Sequence, residues 1–192
     1  MTRHAVAAAA FAAALPFASP AAANEFAPAL EALAVDRLHV IAADPAVVAA
    51  ILERNAAGTP SQDEIEALDA EWRAQVGSGD APLVASVSGG PAADALVAAR
   101  DASQGLLTEI FAMDAVGLNV AVSDPTSDYW QGDEAKWQQT FGVGPDAIHI
   151  SDVELDESTQ IFQAQVSLAI ADPQGGEPIG AITFGVNIEM LE

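Results

Sequence analysis

The apolar positions of this chain change their period once, near Leu106. Before that point Phe26, Leu30, Leu33, Leu38 and Ile41 recur at near-helical spacing and predict one apolar stripe. Asp44-Pro45 pairs an N-cap residue with proline at the first helical position, restarting a helix through Val47, Val48, Ile51 and Leu52. Asn55-Ala-Ala-Gly58 ends it. Ser61-Gln-Asp-Glu64 has the form of a capping box and opens a third helix through Leu68 and Trp72. A Gly/Pro loop at Ser88-Gly-Gly-Pro91 then leads into a short helix that ends before Gly105.

After Leu106 the period is two. Leu107 to Met113 and Leu118 to Ser123 read as strands joined by the hairpin signal Asp114-Ala-Val-Gly117. Ala147 to Leu155, Thr159 to Ala171 and Ile179 to Ile188 are three more, with turns at Asp156-Glu-Ser158 and Asp172-Pro-Gln-Gly-Gly-Glu177. Helices followed by strands predict an α+β domain whose helical part spans 25–104 and whose antiparallel sheet spans 105–190. The alternation also predicts two unlike sheet faces. Phe162, Val166, Leu168 and Ile170 oppose Gln163, Gln165 and Ser167; Ile182, Phe184, Val186 and Ile188 oppose Thr183 and Asn187; Leu118, Val120 and Val122 oppose Asn119 and Ser123. The apolar face should take the N-terminal helices. The polar face is either solvated or the floor of a polar pocket.

What could cover that floor is the stretch "SDYWQGDEAKW", residues 127–137, which holds the chain's one Tyr, one Lys and two of its three Trp. Trp130 and Trp137 stand at i and i+7, so on a helix they would share a face, either anchoring the segment or presenting π faces to a ligand. Gly132 weakens a continuous helix by about 1 kcal/mol relative to Ala and favours a loop leading into a short helix. Lys136 either pairs with Asp133 or Glu134 or holds a ligand carboxylate.

Composition narrows the function classes. Thr2-Arg3-His4, the apolar run Ala5 to Leu15 and Ala21-Ala22-Ala23 predict a secretion signal over 1–23, giving a soluble, periplasmic chain of 169 residues from Asn24. Without Arg3, five basic side chains face 28 acidic ones, a net charge of −23 that repels nucleic acid and anionic lipid. There is no Cys, which excludes thiol chemistry, disulfides and Cys metal sites. Asp124, Asp128 and Asp133, and Asp152, Glu154, Asp156 and Glu157, are acidic clusters without the spacing of a calcium loop, and read as solvated turn acids. No G-x-S-x-G, H-E-x-x-H or Walker loop occurs, and His39 on the N-terminal helix and His149 on a strand each read as structural or exposed. No enzymatic activity, cofactor or metal is expected.

"GLLTEIFAMDAVGLNVAVSDPTSDYWQGDEAKW" resembles the core of Cache (PDC) sensor domains, the extracytoplasmic PAS-like domains. "LDESTQIFQAQVSLAIADPQGGEPIGAITFGVNIEML" is similar to their closing strands, and "IEALDAEWR" to the helix preceding that core in stand-alone periplasmic members. The resemblance implies long N-terminal helices packed on a five-stranded antiparallel PAS/Cache-like sheet. It also implies a small-molecule pocket between the sheet's other face and the 127–137 segment. Such domains bind amino acids, amines or carboxylates and relay occupancy to a membrane histidine kinase or chemoreceptor. The residues expected to bind ligand are Asp128, Tyr129, Trp130, Lys136 and Trp137 of the segment and Asn119, Ser123 and Gln165 of the polar faces. Asp172 joins them, near the strand-end carboxylate of amine-binding members. The Arg-x-Trp-Tyr pattern of amino-acid binders is absent. With no membrane helix or output domain in the sequence, a sensor role requires a membrane partner, and a homodimer through the N-terminal helix is a further expectation. The competing expectations are an interaction module with no small ligand and a divalent-metal sensor.

Overall fold

The computed structural model describes residues 24–156 and 160–191; the expected leader at 1–23 and most of the turn expected at 156–158 lie outside the described residues. The first stripe forms one continuous helical run, α1 (Ala27–Leu33), a π turn (Ala34–Leu38) and α2 (His39–Ala42). Leu33 and Leu38 are five residues apart, more than an α-turn, and the wider π winding buries both beside Leu30 and Ala34. In α3 (Pro45–Ala56) the Asp44 carboxylate accepts from the Ala46 N–H at 2.8 Å, as an N-cap should. In α4 (Gln62–Gln75) the capping box is reciprocal, Glu64 accepting from the Ser61 N–H at 2.8 Å and Ser61 Oγ from the Glu64 N–H at 3.4 Å. A helix that the periodicity does not predict follows, α5 (Pro82–Val87), too short to carry a stripe of its own. Its start is capped from α4: Gln75 Oε1 accepts from the Leu83 N–H at 2.7 Å. The last long helix is α6 (Pro91–Ala102).

The strands are β1 (Leu107–Met113), β2 (Asn119–Val122), β3 (Ile148–Ile150), β4 (Glu154–Asp156), β5 (Ile161–Ala171) and β6 (Pro178–Asn187), with the single-turn α7 (Ala135–Gln138) between β2 and β3. They form one antiparallel sheet in the order β2-β1-β6-β5-β3, with β4 also on β5. The six described strands replace the five expected because the third breaks. Between the pairs Ile150↔Val166 and Glu154↔Gln163 the register slips by one residue, and at the break Ser151 Oγ accepts the Gln165 N–H at 2.8 Å.

Both faces are present, but β2 departs from the expectation: Leu118 and Val122 join Phe111 and Met113 on the second face, while Ala121 faces the N-terminal helices. Ile110, Ala112, Val166, Leu168, Ile182, Phe184 and Val186 pack against Leu30, Leu38, Val47, Ile51 and Leu96 of the helices. On the opposite face Phe111, Met113, Val122 and Ala181 join Ile65 and Trp72 of α4, Val84 and Val87 of α5, and Tyr129. The result is the α+β, PAS/Cache-like architecture that the sequence leads one to expect.

Candidate functional site

The strap-side face of the sheet grades from apolar to polar in three rows set by the register. Met113, Ala181 and Ala169 make the first row; Phe111, Thr183, Ser167 and His149 the second; Glu109, Gly185 and Gln165 the third. Gly185 has no room for a side chain in the third row, because the Thr108 hydroxyl and the Glu109 side chain close over it. Gln165 Nε2 donates to Glu109 Oε1 at 3.1 Å across it, and Ser167 and Thr183 share a buried hydroxyl contact at 2.9 Å. At this end a cavity of about 660 Å³ opens, lined by Thr108, Glu109, Asp101, Asp124 and Asp156, with Arg100 paired to Asp101 and Asp124.

Residues 124–141 form a strap over the first two rows. Most of it is irregular and leads into α7, the loop-then-short-helix that Gly132 predicts. Its attachment is apolar through Tyr129, Trp130, Trp137 and Phe141, and polar besides. Trp130 Nε1 donates to the Val116 carbonyl at 2.8 Å and Trp137 Nε1 to the Asp114 carbonyl at 3.1 Å, so both indoles grip the β1–β2 turn. The Gln131 N–H adds a bond to the Gly117 carbonyl at 2.8 Å. Gly117 has φ of 88° and its Cα side touches Gly132, so neither position has room for a Cβ. From α4, buried Asp69 accepts the N–H groups of Tyr129 and Trp130 at 2.9 and 3.1 Å while pairing with Arg73.

Lys136 is the strap's cation. Its ammonium lies 5.4 Å from the centre of the Phe111 ring and bonds Glu134 at 2.8 Å and Gln131 Oε1 at 3.1 Å. Burial pushes the Glu109 carboxyl above its ordinary range, opposed by Gln165 and Lys136 and reinforced by Asp156 and Asp124. Burial, then Lys136, pushes the His149 imidazole below its ordinary value, and its buried Nδ1 has no hydrogen-bond partner among the described residues.

The structure divides the nine expected binding residues. Lys136 and Gln165 lie about the polar floor, and Trp137, stacked on Phe141 at 4.9 Å, belongs to the cover with Trp130. Tyr129 stacks on Trp72 at 5.2 Å and, with Asn119, lines a different cavity at the β2 edge. The Asp128 carboxylate turns outward to Arg73 at 2.8 Å. Ser123 Oγ accepts from the Ile110 N–H at 2.8 Å, completing the β1–β2 ladder. Asp172 sits in the β5–β6 turn, accepting from the Gln174 N–H at 2.8 Å. Glu109, Asp69 and Arg54 are the residues that the sequence reading passed over. Asp69 carried a signal, being an acid within the buried stripe Ile65, Asp69, Trp72.

No family profile and no curated protein sequence matches the chain. Among solved structures it is similar to the sensor domain of the Vibrio cholerae histidine kinase DctB, at 10% identity over 87% of this chain and 59% of that one, TM-score 0.40. It is also similar to the ligand-binding domain of the Campylobacter jejuni chemoreceptor Tlp3 in complex with 4-methylisoleucine, at 11% identity over 85% and 62%, TM-score 0.40. A third is the ligand-binding domain of the Pseudomonas aeruginosa amino acid chemoreceptor PctC in complex with GABA, at 13% identity over 80% and 61%, TM-score 0.38. The chain thus spans about three-fifths of the length of each.

Proposed function

We propose that this chain is a non-enzymatic, extracytoplasmic sensor domain that binds a small amine-bearing metabolite on the polar floor and passes its occupancy to a membrane signalling partner, a histidine kinase or chemoreceptor. The observation that carries the reading is the cavity at the third row. Four carboxylates, Asp101, Glu109, Asp124 and Asp156, line it, and its one guanidinium is engaged by two of them. Such a lining favours an ammonium group, and the formal net charge of −22 draws cations toward it. Lys136, above the neighbouring row, offers a carboxylate at the ligand's other end a partner in place of Glu134. Among the described residues no helix is long and apolar enough to cross a membrane, so the proposal assigns transmission to a partner. Val35 and Val40 on the N-terminal helix, 59% and 63% exposed, give that partner an apolar surface.

The test is a thermal-shift screen of amines, amino acids and carboxylates against the parent, Glu109→Gln and Lys136→Gln. Amines should raise the parent's melting temperature and lose their effect in Glu109→Gln. Lys136→Gln should weaken amino acids while sparing simple amines. Stabilisation of the parent by carboxylates alone would overturn the reading.

A further inference from the structure

A second cavity, of about 630 Å³, lies between α3 and the α4–α5 pair at the β2 edge and shares no lining residue with the acidic one. Its size is that of a small-molecule pocket. Its walls are low and apolar where α3 presents Ala46, Ala49 and Ala50 toward Leu83 of α5. Besides the exposed carboxylate of Glu53, three polar side chains on its lining have bonding capacity left over. Asn119 is fully buried, and its Nδ2 donates to Thr126 Oγ1 at 2.8 Å and to the Asp128 carbonyl at 3.1 Å. Those two bonds fix the amide's orientation, and the remaining atom, Oδ1, has no partner among the described residues. Arg54 Nε lies 3.4 Å from the Asp114 carboxylate and makes no hydrogen bond among the described residues. The Tyr129 hydroxyl likewise makes no hydrogen bond among the described residues.

From this we infer a second ligand site, taking a short apolar molecule with a carboxylate at one end and a hydrogen-bond donor beside it. The carboxylate meets Arg54, whose planar fork suits two oxygens. The donor, an ammonium or a hydroxyl, satisfies Asn119 Oδ1, and the hydrocarbon body lies along the alanines. The chain's negative field favours the zwitterion over the plain anion. The site stands beyond the proposed sensing role: it needs neither the strap-side cavity nor a membrane partner.

The experiment is an amide NMR titration of the labelled protein with L-norvaline, 2-hydroxyvalerate, valerate and butylamine. Norvaline and hydroxyvalerate should move the Asn119 side-chain amide and the amides of Ala49 and Ala50. Valerate, with no donor, and butylamine, with no carboxylate, should bind about tenfold more weakly. Ala49→Leu, at an exposed position of α3, fills the mouth and should abolish the norvaline shifts without changing any response of Glu109 to butylamine. Arg54→Lys keeps a cation beside Asp114 and should weaken norvaline binding. Failure of all four compounds to move these amides, or norvaline shifts that survive Ala49→Leu, overturns the site. A missing butylamine response at Glu109 with intact norvaline shifts counts against the sensing proposal alone.

Discussion

On one side of the sheet Phe184, Val186 and Val166 meet the helices through hydrocarbon; on the other, a smaller apolar cluster of Trp72, Phe111, Met113 and Tyr129 is joined by two indole N–H groups, one buried aspartate and a few backbone bonds that hold the strap down. The two closures respond differently to water. Exposing the hydrocarbon side costs free energy in proportion to area and nothing replaces it. The strap's bonds can be exchanged for bonds to water at a net cost of about 1 kcal/mol each. Local opening should therefore be cheap on the strap side and close to global unfolding on the helix side. A domain that admits a ligand on one face and keeps a fixed scaffold on the other needs that asymmetry.

The largest test of the contrast is Phe184→Ala on β6. The ring is fully buried on the helix side, and its loss should cost about 3–5 kcal/mol in urea unfolding. A loss below 1 kcal/mol would mean that the two faces do not differ as described. Asp69→Ala comes next. It leaves the N–H groups of Tyr129 and Trp130 without their acceptor and Arg73 with Asp128 alone, for an expected cost of about 2–3 kcal/mol. Hydrogen exchange sharpens this case: protection should fall across 127–140 and hold across β5 and β6, whereas a uniform fall would erase the distinction. The smallest effect, of opposite sign, belongs to Glu109→Gln. Burial holds the Glu109 carboxyl above its ordinary value, so the folded chain keeps a proton that the unfolded chain has released. Its contribution is most favourable below the unfolded value and declines as pH rises through the folded one. The neutral variant should therefore be more stable than the parent at pH 7, with a flatter stability profile above pH 5. Lower stability at pH 7 would assign Glu109 a pairing stronger than its burial.

Much of the fold was legible because its signals are local. Asp44-Pro45 and Ser61-Gln-Asp-Glu64 cap the helices they announce, and the period-two runs place Val166 and Gln165 on opposite faces as observed. The parts that were not legible depend on distant partners. The helix α5 is held through Gln75, eight residues before Leu83, and the break in the third strand turns on a Ser151–Gln165 bond. The candidate site divides along the same line. Composition drew attention to 127–137, but which indole N–H reaches which carbonyl depends on how the β1–β2 turn lies beneath it. Tyr129 of the strap and Asn119 just before it line the cavity at the β2 edge.

Asp114 has a consequence for how the layers communicate. Its carbonyl holds Trp137 of the strap, and its carboxylate faces Arg54, which lines the cavity beside α3. One route between the two proposed ligand cavities therefore runs through this residue of a tight turn, beside the direct contact of the strap's Tyr129 with the α3-side cavity. Whatever free energy passes along it is reciprocal: an occupant at Arg54 that shifts the strap must itself be bound more or less tightly, by the same factor, when the strap's own cavity is filled.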